Sequence, residues 1–452
     1  MALSRNDELR KWQIRIFATA WITYFSYYLC RYNMTLAKTP FSEAFSFSAS
    51  EFGQVFSMLT IFYAVGQFVN GQLGDRFGAR TISTIGALGS AVMNLCVFAL
   101  VMIASPAQAD RGSVLRFLLI FWGANGFFQA MGWPPLVRLM AFWFPVSARG
   151  KVMGLWGTCL HFGAAASVLL ATFLTGYYVQ SLSGDWRMVF LVPSLILFTI
   201  GILFLILIRN DPLQLGLPSV GAEEPGEEKS GAGNGRRTIY RNVILTLSNP
   251  YLWVIAVAFF LLDANRYGFV NWMPAYLDAH ADGEAGTLMA NFKKIMKLCI
   301  HPLAGAVGAF TAGWATDRFF GGRRAPVIVV LLTLLGVFSL TFAYIDPNNT
   351  VLVVVVVALV GYCTYGPHML MVGHAAQDFG KKEGAAGAAG FIDAMGYFGA
   401  TVAGWGAGAL IDRAGYKVTF ATFGSTVFLA AALVAVLWKV GPRSVRERGR
   451  QV

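Results

Sequence analysis

Two arginines stand inside long apolar stretches of the sequence, where an ionised side chain is costly. Arg31 follows a group of tyrosines in YYLCRYN, and Arg266 stands in DANRYGF. Ionisable residues inside such stretches are functional candidates by default. A guanidinium group can hold phosphate or carboxylate through two parallel hydrogen bonds. The pair therefore predicts an anion clamp, and the alternative for Arg31 is that its side chain snorkels to a membrane interface.

Polar and aromatic residues near the two arginines extend this candidate site. Asp263 precedes Arg266 by one helical turn, so the two share a face. Asp263 and Asp393 either balance the arginine charges or recognise hydroxyls and carry protons, and each aromatic residue either packs or contacts substrate. The substrate-binding candidates beside the arginines are Tyr24, Tyr28, Gln129, Trp133, His161, Asp263, Tyr365, Asp393 and Tyr397.

The composition indicates lipid as the solvent for the elements that carry these residues. Of 452 residues, 56% are hydrophobic and only 13% are charged, whereas soluble chains carry about a quarter charged residues. The net charge of +12 comes from short basic clusters between apolar runs, which indicates membrane topology rather than nucleic-acid binding. The five cysteines lie in apolar runs without a CxxC pair, so neither a disulfide framework nor a metal site is expected. No cofactor is expected.

A membrane-spanning helix needs about 20 apolar residues, and the sequence predicts about twelve such spans. The basic loops place both termini and the loops after even-numbered spans in the cytoplasm. We expect an N-terminal half at 1–208, a linker at 209–249, a C-terminal half at 250–440 and a tail at 441–452. The predicted spans are 12–37, 53–73, 81–104, 114–142, 152–180, 187–208, 250–277, 295–316, 325–345, 350–374, 385–411 and 418–440.

The two halves repeat each other. GQLGDRFGAR begins at Gly71 and GWATDRFFGGRR at Gly313, while GWPP and YGPH align Pro134 with Pro367. Two six-span halves of this kind predict the all-α major facilitator fold. The first of these segments resembles the signature loop of that superfamily. Its acidic and basic residues predict a latch between helices, and the gating candidates are Asp75, Arg76, Arg80, Asp317 and Arg318.

The chain resembles the organophosphate:phosphate antiporter family from about Trp12 to the end of span twelve. The resemblance rests on YYLCRYN, FFQAMGWPP, NDPLQLGLP, RYGFVNWMPAYL, YGPHML and GAAGF. It implies that Arg31 and Arg266 bind phosphate, that Tyr24 and Tyr397 contact substrate, and that His161 supplies the histidine of span five after a one-residue shift. Tyr32, Gln67 and Asp263 depart from the glycerol-phosphate members and predict a different organic moiety, with more hydroxyl groups.

The expected function is exchange of a phosphorylated metabolite for inorganic phosphate by alternating access, in a monomer that spans the inner membrane several times. The expected substrates are a sugar phosphate, glycerol 3-phosphate or a phosphoglycerate. One alternative is a membrane sensor of external hexose phosphate, and another is a proton-coupled symporter of organic anions. Catalysis is not expected, since no nucleophile–base pair or nucleotide-binding motif stands out.

Overall fold

The computed structural model describes residues 5–104, 110–175, 185–218, 220, 247–280, 288–375 and 385–439. Parts of three predictions lie outside them: the linker at 221–246, the basic residues at 381–382 and the tail from residue 440. The side chains of Asp75 and Arg149 also lie outside the described part of the chain.

The described residues are almost entirely helical, and the long helices are α-helices. In the first half of the chain these are α1 (Arg5–Phe45), α2 (Ala49–Ile103), α3 (Arg111–Gln129), α4 (Trp133–Trp143), α5 (Val146–Thr175) and α6 (Met188–Leu207). In the second half they are α7 (Pro250–Ala279), α8 (Leu288–Phe320), α9 (Ala325–Tyr344), α10 (Thr350–Met369) and α11 (Ala385–Ala435).

Nine helical segments within the described residues are long and apolar enough to cross a membrane. The segment at Ala389–Ala435 has 47 residues, which at 1.5 Å per residue is long enough for two crossings. The kink at Gly415 divides it where the sequence predicts the end of one span and the start of the next. Span one falls within α1, whose polar residues lower its hydropathy, and span two within the first part of α2. The all-helical fold predicted from the sequence is confirmed.

Two of these helices, α2 and α11, are kinked at a glycine where the sequence predicts a loop. Within α2, Gly78 has a φ of 80°, and within α11, Gly415 has a φ of 77°. This left-handed backbone is accessible to glycine at little cost because glycine has no Cβ. One glycine therefore replaces the expected loop between spans two and three, and another replaces the loop between spans eleven and twelve.

The α-helices end or change form near Pro134 and Pro367, the two prolines that the repeat aligns. The predicted span at 114–142 is divided at Ala130–Gly132, because Pro134 and Pro135 lack the amide protons that a continuing helix needs. Prolines are tolerated in the first turn of the new helix α4. In the second half, Pro367 lies near the end of α10, and the chain continues as a π-helix at Leu370–Ala375.

The chain divides into two compact units. Unit 1 comprises the described residues of Met1–Phe47, Met58–Glu227 and Gly286–Asn291. Unit 2 comprises those of Ser48–Ser57, Glu228–Ala285 and Phe292–Val452. Ser48–Ser57, which include the start of α2, therefore belong to unit 2. The exact half boundaries at 208 and 250 stay predictions, as does the cytoplasmic position of the termini.

Candidate functional site

The unit-1 arginine site is built around Arg31, which is 8% exposed on α1. Its Nε donates to Oε1 of Gln129 at 3.2 Å. Its guanidinium carbon lies 4.4 Å from the ring centre of Tyr63 and 5.0 Å from that of Tyr28. Such cation–π contacts stabilise a partly desolvated arginine by about 0.5–2 kcal/mol. These neutral groups orient Arg31 without cancelling its charge.

Gln129 is fixed by a buried polar network that connects α1, α2 and α3. Its Nε2 donates to the Tyr27 carbonyl at 3.0 Å and to Ser90 Oγ at 2.8 Å. The Ser90 hydroxyl donates in turn to Oδ1 of Asn125 at 2.6 Å. Asn94 and Asn125 both donate to the Cys30 carbonyl, one residue before Arg31. Because buried polar groups that are fully bonded rigidify a core, this network holds the α1 backbone at the arginine.

An aromatic cluster lies on the same face of α1. The ring of Tyr24 lies 5.5 Å from that of Trp133 and 5.4 Å from that of Trp156. Its hydroxyl is 3.4 Å from the hydroxyl of Tyr63. His161, on α5, is buried two residues before Gly163, where a Cβ would lie 2.7 Å from the Phe25 carbonyl oxygen of α1. Thus Tyr28 and Gln129 contact Arg31, Tyr24 and Trp133 pack against each other in the adjoining cluster, and His161 lies where α5 approaches α1.

The unit-2 arginine site brings together Arg266, Asp263 and His368. Arg266 Nη1 donates to Asp263 Oδ1 at 3.3 Å and lies 3.0 Å from His368 Nε2. His368 Nε2 is 3.7 Å from the same carboxylate oxygen. The guanidinium carbon lies 5.0 Å from the ring centre of Tyr267 and 5.1 Å from that of Tyr365. The two arginine sites thus share aromatic support, and in this one a carboxylate bonds the arginine.

The remaining candidates of the second half border this site. Tyr397 has its ring 6.3 Å from that of Tyr267. Asp393 is partly exposed on α11 and interacts electrostatically with Asp263 and Arg266. Tyr365 lies against both Arg266 and His301. The structure therefore places Asp263 and Tyr365 against Arg266 and Tyr397 against Tyr267, and the part of these residues in substrate binding stays a prediction.

The signature segment on α2 is held within unit 1. Arg80 Nε donates to the Leu205 carbonyl in the last turn of α6 at 2.7 Å, and Asn210 Oδ1 accepts from its backbone amide at 2.8 Å. Arg76 is exposed beside the ring of Phe77. Asp317 and Arg318 are exposed near the end of α8. The bonds of Arg80 make it a brace between α2 and α6, and the gating role of all five residues stays a prediction.

Sequence reasoning did not select His368, Tyr63 or the polar network behind Gln129. His368 was present in YGPHML, and the rule that selected Asp263 applies equally to a histidine in an apolar run. Ser90, Asn94 and Asn125 were also polar residues within predicted spans. Their partners lie dozens of residues away along the chain, so their spacing carries no signal.

Comparison with known proteins identifies both the superfamily and the fold of the chain. The family described as Major Facilitator Superfamily matches residues 20–292 and 298–452. A bacterial homologue of the human lysosomal transporter Spinster, solved in an inward-facing and unoccupied conformation, superposes with a TM-score of 0.70 at 14% identity. The match covers 94% of this chain and 95% of that one. At this identity the likeness shows the fold alone.

Two curated relatives are similar over almost their whole length. The glycerol-3-phosphate transporter of Bacillus subtilis is 31% identical over 442 residues, which cover 96% of this chain and 94% of that protein. The membrane sensor protein UhpC of Escherichia coli is 27% identical over 438 residues, covering 95% and 92%. The chain is therefore a multi-pass membrane protein that belongs to the organophosphate:phosphate antiporter family of the major facilitator superfamily.

Proposed function

We propose that the chain exchanges a phosphorylated metabolite for inorganic phosphate across the inner membrane by alternating access. The observation that carries the proposal is the pair of arginines, one in each half of the chain, each inside an apolar helix and each supported by two tyrosine rings. In the proposed mechanism one phosphoryl group is held by Arg31 and Arg266. The relatives named as transporters support this reading.

The role of each side chain follows from its chemistry. Guanidinium groups donate to phosphate oxygens in a fixed planar arrangement, and Gln129 and the tyrosines keep the Arg31 group in one orientation. A ligand shifts a conformational equilibrium only by binding one state better than another. Phosphate does so in the proposed carrier by lowering the cost of enclosing two arginines in a closed site. The empty carrier then reorients slowly, and net movement requires exchange.

The test is phosphate exchange in liposomes containing the purified chain. Liposomes loaded with unlabelled phosphate are expected to take up labelled phosphate, and sugar phosphates or phosphoglycerates in the medium are expected to compete. Arg31→Ala and Arg266→Ala are each expected to reduce exchange by about a hundredfold or more, since a lost charge-assisted pair costs about 3 kcal/mol. Arg116→Ala is the control, because that arginine is exposed in a surface ion pair with Asp110.

The other outcomes identify the competing functions. Binding of phosphate esters without exchange would favour a sensor, the function after which the Escherichia coli relative is named. Proton-driven uptake of organic anions without phosphate exchange would favour a symporter that uses Asp263 or Asp393. Exchange that persists in both arginine variants would contradict the proposed clamp. We further propose that the active form is a monomer, with no catalytic activity, and that light scattering of the purified chain will show one copy.

A further inference from the structure

His368 lies within hydrogen-bonding distance of Arg266. The Arg266 guanidinium can only donate hydrogen bonds, so His368 Nε2, at 3.0 Å from Nη1, must accept one. The proton of the imidazole is then on Nδ1. Asp263, with its side chain 3% exposed, supplies the carboxylate that faces both. Asp263 and Arg266 are thus paired, and His368 accepts from the same guanidinium group.

Within the described residues, further titratable groups lie close to this trio. Asp393 on α11 is the second carboxylate, and it acts electrostatically on both Asp263 and Arg266. The remaining groups are Tyr267 on α7, His301 on α8, Tyr365 on α10 and Tyr397 on α11. Two carboxyl groups, those of Asp263 and Asp393, thus lie near the guanidinium group of Arg266. Arg31 is instead oriented by the neutral groups of Gln129, Tyr28 and Tyr63.

The ion pair within the trio is also long. Charge-assisted N–H···O bonds are typically 2.7–2.9 Å, whereas Asp263 Oδ1 is 3.3 Å from Arg266. His368 Nε2, 3.7 Å from the same oxygen, accepts from Arg266 and donates no bond to that oxygen. This oxygen can accept a further hydrogen bond from a ligand hydroxyl. A ligand carboxylate would instead meet like charge in a partly desolvated place, which raises the free energy of the complex.

We propose that Asp263, positioned by His368, acts as a charge filter beside Arg266. The filter favours phosphate esters whose organic part is neutral and hydroxylated, and it disfavours esters with a second acidic group. The inference rests on the proposed function, since it assumes that the phosphoryl group is bound at the arginines. It adds that the Asp263 carboxylate, which does not bind the phosphoryl group, determines which class of phosphate ester is accepted.

The test compares two competitors in the phosphate-exchange assay, glucose 6-phosphate and 3-phosphoglycerate. In the unaltered chain we expect glucose 6-phosphate to inhibit at about tenfold lower concentration or better. In Asp263→Asn the two inhibition constants should move in opposite directions, with the sugar phosphate weaker and the phosphoglycerate stronger. Asp278→Asn is the matched control, because this residue is on the same helix but pairs with Lys294 at 2.6 Å.

His368→Gln tests the positioning residue. Glutamine keeps a side-chain oxygen that can accept from Arg266, whereas His368→Ala removes the acceptor. In His368→Ala the ratio of the two inhibition constants should fall toward the ratio found in Asp263→Asn, and His368→Gln should restore most of it. Equal ratios in His368→Ala and the unaltered chain would show that His368 does not position Asp263.

Failure of the inference differs from failure of the proposed function. Phosphate exchange in which Asp263→Asn weakens both esters equally, or leaves their ratio unchanged, would overturn the charge filter alone. Absence of phosphate exchange in the unaltered chain would overturn the proposed function. In that case binding of the two esters to the purified chain is measured directly, and equal affinities before and after the substitution would overturn the filter as well.

Discussion

Gln129 is the residue through which the fold determines how Arg31 presents its charge. It accepts from the guanidinium with its oxygen and donates to Tyr27 and Ser90 with its nitrogen. An amide satisfies all of these partners at once, whereas a carboxylate could only accept. The choice of glutamine therefore leaves Arg31 both oriented and cationic.

Gln129→Glu is expected to weaken phosphate binding by about tenfold or more, about 1.4 kcal/mol, because the new carboxylate competes with phosphate for Arg31. The measurement is inhibition of labelled-phosphate uptake by unlabelled phosphate. Gln13→Glu is the matched control, since Gln13 lies on the same helix as Arg31 and donates to the Trp143 carbonyl. Equal affinities in Gln129→Glu and the unaltered chain would show that Gln129 has no part in binding.

Residue identity could be predicted where a single rule of membrane chemistry applies. Arg31, Arg266, Asp263 and Asp393 stand out because an ionisable group in an apolar run is rare. The contacts of His368 with Arg266 and Asp263 could not be predicted, because they depend on how α7 and α10 pack. The same holds for Tyr63, whose ring under Arg31 is set by the rotation of α2.

At the scale of helices, α7 and α11 approach so closely at Gly399 that a side chain there has no space. A Cβ at this position would overlap the Phe260 carbonyl oxygen, and one at Gly396 would lie 2.7 Å from Asp263 Oδ2. Small residues at helix interfaces let backbones come together in membranes, where packing replaces the hydrophobic driving force. The glycine-rich run of α11 therefore brings Asp393 and Tyr397 toward Arg266.

Gly399→Ala is expected to destabilise unit 2 by about 1–3 kcal/mol, the usual cost of overpacking, because the Phe260 backbone cannot move aside cheaply. Thermal unfolding of the purified chain in detergent measures the change. Gly390→Ala is the matched control on the same helix, where a Cβ would meet nothing within 4 Å. A melting temperature that falls equally in both variants would contradict the packing argument.

Element boundaries were predictable to the extent that composition marks them. Apolar length identified the spans, and the proline pair in GWPP carried the signal for the break between α3 and α4. The joints at Gly78 and Gly415 were not predictable, since a glycine between charged residues is equally compatible with a loop. Glycine can adopt either a positive or a negative φ, so its presence in the sequence does not predict which one the backbone takes.

At the scale of the whole molecule, the start of α2 is capped both by neighbouring residues and by a residue of α11 that is distant in sequence. Ser48 and Glu51 form a local capping box, in which each side chain bonds the other residue's amide. Asp412 on α11 accepts from the next two amides, those of Ala49 at 3.0 Å and Ser50 at 2.8 Å. Ser57 adds a bond to the Thr401 carbonyl. This end of α2 is thereby fastened to α11.

If alternating access separates these two helix ends, Asp412→Ala should make them part more often. Loss of a helix cap costs about 1 kcal/mol, which corresponds to about a fivefold rise in the open population. Modification of a cysteine placed at Ser57, in a chain without the native cysteines, measures that population. Asp110→Ala is the control, because Asp110 caps α3 through Gly112 and Ser113 from its own segment. An unchanged rate of modification in Asp412→Ala would contradict the expected coupling.

The joint at Gly78 also constrains how this sequence can change by insertion or deletion. A loop absorbs an added residue, but α2 continues from Gly78 without a loop and carries Ser83, Ser90 and Asn94 on one face. Each residue added or removed after Gly78 would rotate that face by about 100° relative to the joint. The Gln129 network would then lose its partners on α2, so related sequences that keep this anion site should align without gaps from the signature glycine to Asn94.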